Sequence, residues 1–94
     1  MPKPKAKRTR HLERLVRGFS NHRRIEIMGL LARSPELSVA GIARELDINF
    51  KTASEHIRRL TIANIVLKRN IGQNVHHRLT DQGMNILKFL RTLK

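Results

Sequence analysis

The feature that most constrains the fold is a pair of short amphipathic segments separated by only three residues. Apolar residues recur at the spacing of one buried helical face over residues 39–46 and again over 50–63. Ser38 and Asn49 stand where N-cap residues are needed, and residues 47–49 leave room only for a tight turn. This spacing predicts a helix-turn-helix, whose second helix is held clear of the protein body.

Further helices and a hairpin are predicted on both sides of this pair, within one compact domain. The predicted helices cover residues 9–18, 21–34, 39–46, 50–63 and 80–94. Gly18 is expected to end the first helix, and Leu37 to supply a very short strand. Strands at 65–69 and 75–79, joined by a turn at 71–74, form a hairpin. The predicted fold is therefore mainly α with a small β-hairpin wing, a winged helix-turn-helix of about five helices.

Lysine and arginine far outnumber the acidic residues, 20 against 7, which gives a formal net charge of +13. Such a chain attracts a polyanion strongly and with high sensitivity to salt. Residues 1–8 hold prolines, cations and almost nothing to bury, so they are predicted to be a disordered basic arm preceding a domain at 9–94. The arm is either a solubility tail or a segment that follows DNA.

Several functional classes are disfavoured by what the sequence lacks. Without cysteine there are no disulfides, thiolate metal sites or redox switches. No apolar run approaches the roughly 20 residues that span a bilayer, and no secretory signal is recognisable, so we expect a cytoplasmic protein. Because the chain has no glycine-rich phosphate loop, informative carboxylate pair or cysteine nucleophile, we expect that it is not an enzyme.

The outer face of the second helix of the pair carries side chains suited to contact DNA. Lys51 and Arg58 can reach phosphates or guanine, Ser54 can bond to a base or a phosphate, and Glu55 can accept from cytosine. Phe50 either touches a thymine methyl group or packs against the preceding helix. This mixed face predicts a surface that reads bases as well as phosphates.

The hairpin adds a second candidate surface, because a basic wing can lie along the DNA backbone or enter a minor groove. Lys68 and Arg69 are its predicted phosphate contacts, and Gln73 and Asn74 stand at its tip. The complete predicted DNA-contact set is Phe50, Lys51, Thr52, Ser54, Glu55, Arg58, Arg59, Lys68, Arg69, Gln73 and Asn74.

Four segments are similar to consecutive parts of one known family. They are FSNHRRIEIMGLL (19–31), ELSVAGIAREL (36–46), INFKTASEHIRRL (48–60) and RNIGQNVHHRLT (69–80). In this order they resemble the second helix, the third helix, the recognition helix and the wing of the ArsR family of winged-helix repressors. His76 and His77 stand where paired tyrosines are common in that family. Residues 79–83 are also similar to the opening of the last helix in the related MarR family.

The resemblance implies a two-fold homodimer that binds an inverted repeat and represses a promoter, with relief by an effector whose identity is unknown. It places the dimer interface on the first and last helices. The last helix independently indicates a partner chain, because its apolar stripe is wider than one small domain needs to cover. The predicted interface residues are Leu12, Leu15, Ile86, Phe89, Leu90 and Leu93.

The metal sites implied by the family are missing from this sequence. Residues 38–41 offer no sulfur ligand in the third helix, and the last helix holds Asp81 but no histidine. His76 and His77 are neighbours on a strand and point to opposite faces, so they cannot chelate one ion together. His56 is interpreted as a structural residue. We therefore expect neither a metal nor a cofactor.

The leading hypothesis is a sequence-specific, double-stranded DNA-binding transcriptional regulator that acts as a homodimeric repressor. The alternative is an architectural, nucleoid-type protein with low sequence specificity, which would show a specificity ratio near one. A third hypothesis is an interaction module such as an antitoxin, which would dimerise without binding DNA. Membrane attachment through the last helix is the weakest, since dimerisation explains its apolar face better.

Overall fold

The computed structural model describes residues 2–93, with side chains described from residue 7 onward. Its elements are α1 (Pro2–Phe19), α2 (His22–Arg33), α3 (Val39–Leu46), α4 (Phe50–Ile62), β1 (Val66–Ile71), β2 (Asn74–Leu79) and α5 (Asp81–Thr92). The two strands form one antiparallel sheet. The predicted winged helix-turn-helix with five helices and a hairpin is therefore confirmed. Within the described residues, no helix is both long and apolar enough to cross a membrane.

The helices begin at side chains that satisfy otherwise unpaired backbone N–H groups. Ser38 accepts a hydrogen bond from the backbone of Gly41 at 3.0 Å, and Asn49 accepts one from Lys51 at 2.7 Å. Both caps agree with the sequence prediction. Between them, Asp47 takes a left-handed backbone conformation (φ 53°), which closes α3 and turns the chain into α4.

One hydrophobic core joins α2, α3 and α4 to the base of the hairpin and to α5. Its buried apolar residues are Ile27, Met28, Leu30, Leu31, Ile42, Ala43, Ala53, Ile57, Leu60, Ile65, Val66, Leu79 and Leu87. Three of them come from α4, so the side of that helix facing the protein is fully committed to the core. The opposite side of α4 is thereby turned to solvent.

A one-residue bridge adds to the hairpin at Leu37, where the sequence predicted a very short strand. Leu37 pairs with His77 in an antiparallel bridge, and the His77 backbone N–H donates to the Leu37 carbonyl at 2.9 Å. The His77 side chain is buried, with Nδ1 lying 3.0 Å from the same carbonyl oxygen. Burial lowers the pKa of His77, because the charged imidazolium would lose its hydration. This pairing anchors the hairpin to the start of the helix-turn-helix.

The first helix starts earlier than the sequence predicts. The structure places residues 2–8, expected to be a disordered arm, in the first turns of α1; Met1 lies outside the described residues. Pro2 and Pro4 are compatible with this, because the first-turn N–H groups of a helix have no partner inside the helix to lose. The division of the chain into an arm (1–8) and a DNA-binding domain (9–94) stays a prediction, and α1 runs across it.

Two glycines mark places where helices approach their neighbours closely. Gly18 lies inside α1 instead of ending it, and a Cβ there would collide with the Cβ of Ala63. At the start of α5, a Cβ on Gly83 would collide with the backbone carbonyl oxygen of Ile65. Glycine is required at both positions by tertiary packing, which sequence spacing does not show.

Candidate nucleic-acid interface

The helix-turn-helix presents α4 as an exposed element. Ala53, Ile57 and Leu60 are at most 2% exposed and hold the helix against the core. Every residue of α4 in the predicted DNA-contact set has an exposed side chain: Phe50, Lys51, Thr52, Ser54, Glu55, Arg58 and Arg59. The structure thus brings these predicted residues together on one outward-facing surface, which we call the α4 face.

Phe50 lies at the exposed N-terminal end of α4. The sequence left open whether its ring packs against α3 or faces outward. The side chain is 59% exposed, although a benzyl group gains free energy from burial. Phe50 is therefore available for an apolar contact with a partner.

Glu55 forms a charge cluster with two arginines on the α4 face. Its carboxylate accepts from Nε and Nη2 of Arg58 at 3.0 and 2.9 Å and from Nε of Arg59 at 3.1 Å. The hydrogen bonds from Arg58, followed by the remaining interactions with the two guanidinium groups, lower the pKa of Glu55 to about 2. Glu55 is therefore charged at neutral pH and occupies both arginines.

This cluster was missed in the sequence, although a signal was present. Residues at i+3 and i+4 from a glutamate are its neighbours on a helix surface, and Arg58 and Arg59 have these spacings from Glu55. The sequence instead suggested separate contacts, of Glu55 to cytosine and of Arg58 to a phosphate or to guanine. In the free protein the two side chains are engaged with each other.

The wing carries its predicted residues on an exposed hairpin. Lys68, Gln73 and Asn74 are exposed, and the turn is closed by Gly72 with φ of 61°. Among the described side chains, Lys68 makes no ion pair within 4.0 Å. It is thus free to meet a phosphate.

Arg69 differs from Lys68 because it is paired with an acidic residue. Its Nη1 lies 3.0 Å from Oε1 of Glu36, and Nη1 of Arg78 lies 3.8 Å from the same oxygen. Glu36 has a left-handed backbone (φ 68°) and is half-buried at the base of the wing. The carboxylate partly neutralises Arg69, so Lys68 is the stronger candidate for a phosphate contact.

Arg24 connects α1, α2 and α4 beneath the α4 face. Its Nε donates to Nδ1 of His56 at 3.2 Å, and its Nη1 donates to the carbonyl oxygens of Arg17 and Gly18 at 3.1 and 3.2 Å. Burial, then the charge of Arg24, lowers the pKa of His56, which fits its role as a neutral acceptor. The structural interpretation of His56 agrees with these contacts. The sequence contains no local signal for Arg24, since the two residues are 32 positions apart.

The predicted dimer residues divide into two groups. Leu12, Phe89 and Leu93 are 56–60% exposed, whereas Leu15 and Ile86 are partly buried against the core of their own chain. Leu90 is half-buried. Val16, absent from the predicted set, is 48% exposed beside Leu12 on α1. The exposed apolar residues Leu12, Val16, Phe89 and Leu93 are called the apolar face below.

No cluster of metal ligands accompanies these surfaces. Within the part of the chain that the structure describes, no three His, Asp or Glu side chains lie close enough together to hold a metal ion.

Solved structures with the same architecture come from several bacteria. The homodimeric winged helix-turn-helix DNA-binding domain of a possible ArsR-family transcriptional regulator from Mycobacterium bovis is 26% identical, with a TM-score of 0.85 over 94% of this chain and 82% of that one. NolR from Sinorhizobium fredii is 23% identical, with a TM-score of 0.84 over 96% and 89%. The transcriptional repressor BigR from Xylella fastidiosa is 22% identical, with a TM-score of 0.77 over 98% and 94%.

Sequence comparison gives a family assignment. No curated protein matches the chain significantly. The sequence model of the arsR family of bacterial regulatory proteins matches residues 21–68, which include α2, the helix-turn-helix and the start of the wing. This match covers more than half of the chain and agrees with the shared fold. The chain therefore belongs to the ArsR family of bacterial regulatory proteins.

Proposed function

We propose that this protein is a homodimeric transcriptional repressor that binds double-stranded DNA at a pseudo-palindromic site. The observation that carries the proposal is the α4 face, an exposed helical surface with cations, two hydroxyl groups and an aromatic ring. Its fit to a major groove follows from the geometry of helix-turn-helix proteins. The homodimeric, DNA-binding domain from Mycobacterium bovis supports the same assignment.

In this proposal the α4 face and the wing contact different parts of the DNA. Lys51, Ser54 and Arg58 contact base edges and nearby phosphates in the major groove. Lys68 contacts the phosphate backbone from the wing, with Gln73 and Asn74 at the tip. The net charge of +13 supplies a salt-sensitive attraction common to all sequences. Because the proposed target is genomic DNA, a cytoplasmic location remains part of the proposal.

The apolar face is proposed to be the dimer seam. Leu12, Val16, Phe89 and Leu93 are each about half exposed or more, which is unfavourable for large apolar side chains in water. A two-fold contact between the first and last helices would cover them and would place two copies of α4 on the same side of a DNA duplex.

Selection of bound fragments from a random duplex library at physiological salt tests the proposed function. We expect enrichment of an inverted repeat whose half-sites are one helical turn apart, about 10–10.5 base pairs or a multiple. The enriched site should bind at least about 10³-fold more tightly than random DNA. A ratio near one would instead identify an architectural protein, and an absence of binding at every salt concentration would leave an interaction module.

Sedimentation of an apolar-to-acidic variant tests the seam. Phe89→Glu is expected to yield monomer, because Phe89 is exposed in the chain alone and the new charge would be buried only in the dimer. Val75→Glu, at a 44% exposed position on the wing, makes a similar change away from the seam and should remain dimeric. A Phe89→Glu dimer of unchanged stability would move the interface elsewhere.

A further inference from the structure

A groove of about 660 Å³ lies between α1 and the second half of α4. Its volume is in the range of sites that hold small molecules, roughly 300–1,000 Å³. Gly18 and Ala63, which bring the two helices into close contact, are part of its lining. Leu12, Val16 and Phe89 do not line it, so the groove is distinct from the apolar face.

The lining of the groove combines apolar and cationic side chains. Leu15, Ile62 and Ala63 supply apolar surface, and Ile62 is 68% exposed although it is a large aliphatic residue. Four arginines also line the groove: Arg14, Arg17, Arg24 and Arg59. An occupant that matches both parts has an apolar body and a negatively charged group.

The cations of the groove are not balanced by its acidic side chain. Glu55 is the one carboxylate in the lining among the described residues, and it already accepts from Arg58 and Arg59. Arg17 is paired with Glu13 at 2.9 Å outside the groove lining. Arg14 and Arg24 form no ion pair within the described part of the chain.

Arg24 is the better placed of these two cations. It is half-buried and held in place by hydrogen bonds from Nε and Nη1 to three neutral acceptors. Its Nη2 has no hydrogen-bond acceptor among the described atoms. A fixed guanidinium with a free donor is suited to a carboxylate, because charge-assisted hydrogen bonds are strong and little side-chain entropy remains to be lost.

We infer that the groove between α1 and α4 is a binding site for a small organic carboxylate with an aromatic or aliphatic body. Arg14 and Arg24 hold its carboxylate, and Leu15 and Ile62 cover its apolar part. The site is a candidate effector site, and that regulatory part of the inference rests on the proposed function.

The groove and the α4 face share side chains, which couples the two sites. Glu55 and Arg59 belong to both. An anion bound beside Arg59 lowers the positive potential of the α4 face and competes with phosphate for that guanidinium. The carboxylate therefore weakens DNA binding, and DNA weakens carboxylate binding by the same factor.

Calorimetric titration of the full chain with 2-naphthoate and with octanoate tests the binding site. We expect at least one of them to bind, and the neutral isostere 2-naphthamide or octanamide to bind at least about tenfold more weakly, because it offers the arginines no charge. Failure of both carboxylates, or equal binding of the amides, would overturn the inference. If a second copy of the chain filled the groove in the dimer, neither carboxylate would bind, and this result would overturn the inference equally.

Matched variants locate the bound carboxylate. Arg14→Gln should weaken binding about tenfold or more, whereas Arg33→Gln makes the same change on α2 and should have no effect. Ile62→Glu should abolish binding, because it places a negative charge in the groove, whereas Ile71→Glu at the wing should not. Equal effects within either pair would show that the probe binds elsewhere and would overturn the inference.

DNA affinity, measured by fluorescence anisotropy with and without saturating carboxylate at equal ionic strength, separates this inference from the proposed function. A weaker DNA affinity that is restored in Arg14→Gln supports the coupling, and an unchanged affinity refutes it. Carboxylate binding without any DNA binding would refute the proposed function and leave the groove site standing.

Discussion

Replacing Glu55 by glutamine would test whether the charge cluster restrains the α4 face. The carboxylate holds the guanidinium groups of Arg58 and Arg59 at 2.9–3.1 Å, and its pKa of about 2 keeps it charged under all ordinary conditions. Glutamine has a similar shape but no charge. The substitution therefore frees one or two cations for phosphate contact and removes a repulsive charge facing the DNA.

The expected size of the effect follows from counterion release. Each additional phosphate contact steepens the dependence of log K on log salt by about 0.9, so one or two released arginines add about 0.9 to 1.8 to the slope. Between 200 and 50 mM salt, the affinity of Glu55→Gln for random duplex DNA should consequently rise about 3.5- to 12-fold more than that of the parent protein. Fluorescence anisotropy titrations over this salt range provide the measurement.

Glu26→Gln is the matched control for this experiment. Glu26 pairs with Arg23 at 3.0 Å with the same i,i+3 spacing, but on α2 and outside the predicted DNA-contact set. Both substitutions raise the net charge equally and free an arginine. If the two variants had the same salt slope, the pairing of Glu55 with Arg58 and Arg59 would not restrain phosphate contacts of the α4 face, and the predicted effect of Glu55→Gln would be refuted.

Three further results are expected. Arg58→Ala should weaken binding to the selected site roughly 5- to 150-fold more than binding to random DNA. Lys68→Ala should weaken binding to both kinds of DNA alike and lower the salt slope by about one. Equal behaviour of the two variants in anisotropy titrations would contradict these separate roles. Gly83→Ala should destabilise the fold by about 1–3 kcal/mol, because the new Cβ would collide with a backbone carbonyl oxygen. Gly29→Ala should stabilise the fold by about 0.5–1 kcal/mol, because no atom lies nearer than 3.8 Å to the new Cβ. Thermal melts at one protein concentration check that the two effects have opposite signs. Because the pKa of His77 is lowered in the folded protein, the unfolded state binds a proton at His77 more readily, and stability is lost as the pH falls below 6.5, the ordinary histidine pKa. Denaturant titrations between pH 7.5 and 5 should show a smaller loss of stability for His77→Phe than for the parent protein. An equal loss would assign the pH dependence to other groups.

The helices, their caps and the exposed side of α4 could be predicted from the sequence because they depend on short-range physics. A helical face repeats every three or four residues, and a cap bonds to a backbone group two or three positions away. Ser38 and Asn49 were predicted on that basis, and each accepts from the helix that it starts. The fold and the candidate DNA-contact residues of α4 followed from the same local patterns.

The start of α1 and the contacts of the predicted residues were harder to predict from the sequence. Composition alone favoured disorder over residues 1–8, whereas helix geometry tolerates both prolines in a first turn. Whether Phe50 would pack or face outward depended on the exact distance of α3 from α4, and only the structure decided it. Arg69 was indistinguishable from Lys68 in sequence until Glu36, 33 positions away, was found beside it.

The long-range contacts were determined by tertiary structure alone. The sequence by itself specified which segments are helical and which faces are apolar, because those properties reside in neighbouring residues. It did not specify that Arg24 would meet His56, that Gly18 would lie against Ala63, or that α1 and α4 would enclose a cationic groove. Such contacts depend on the angles and distances at which complete helices pack, and no spacing along the chain records them.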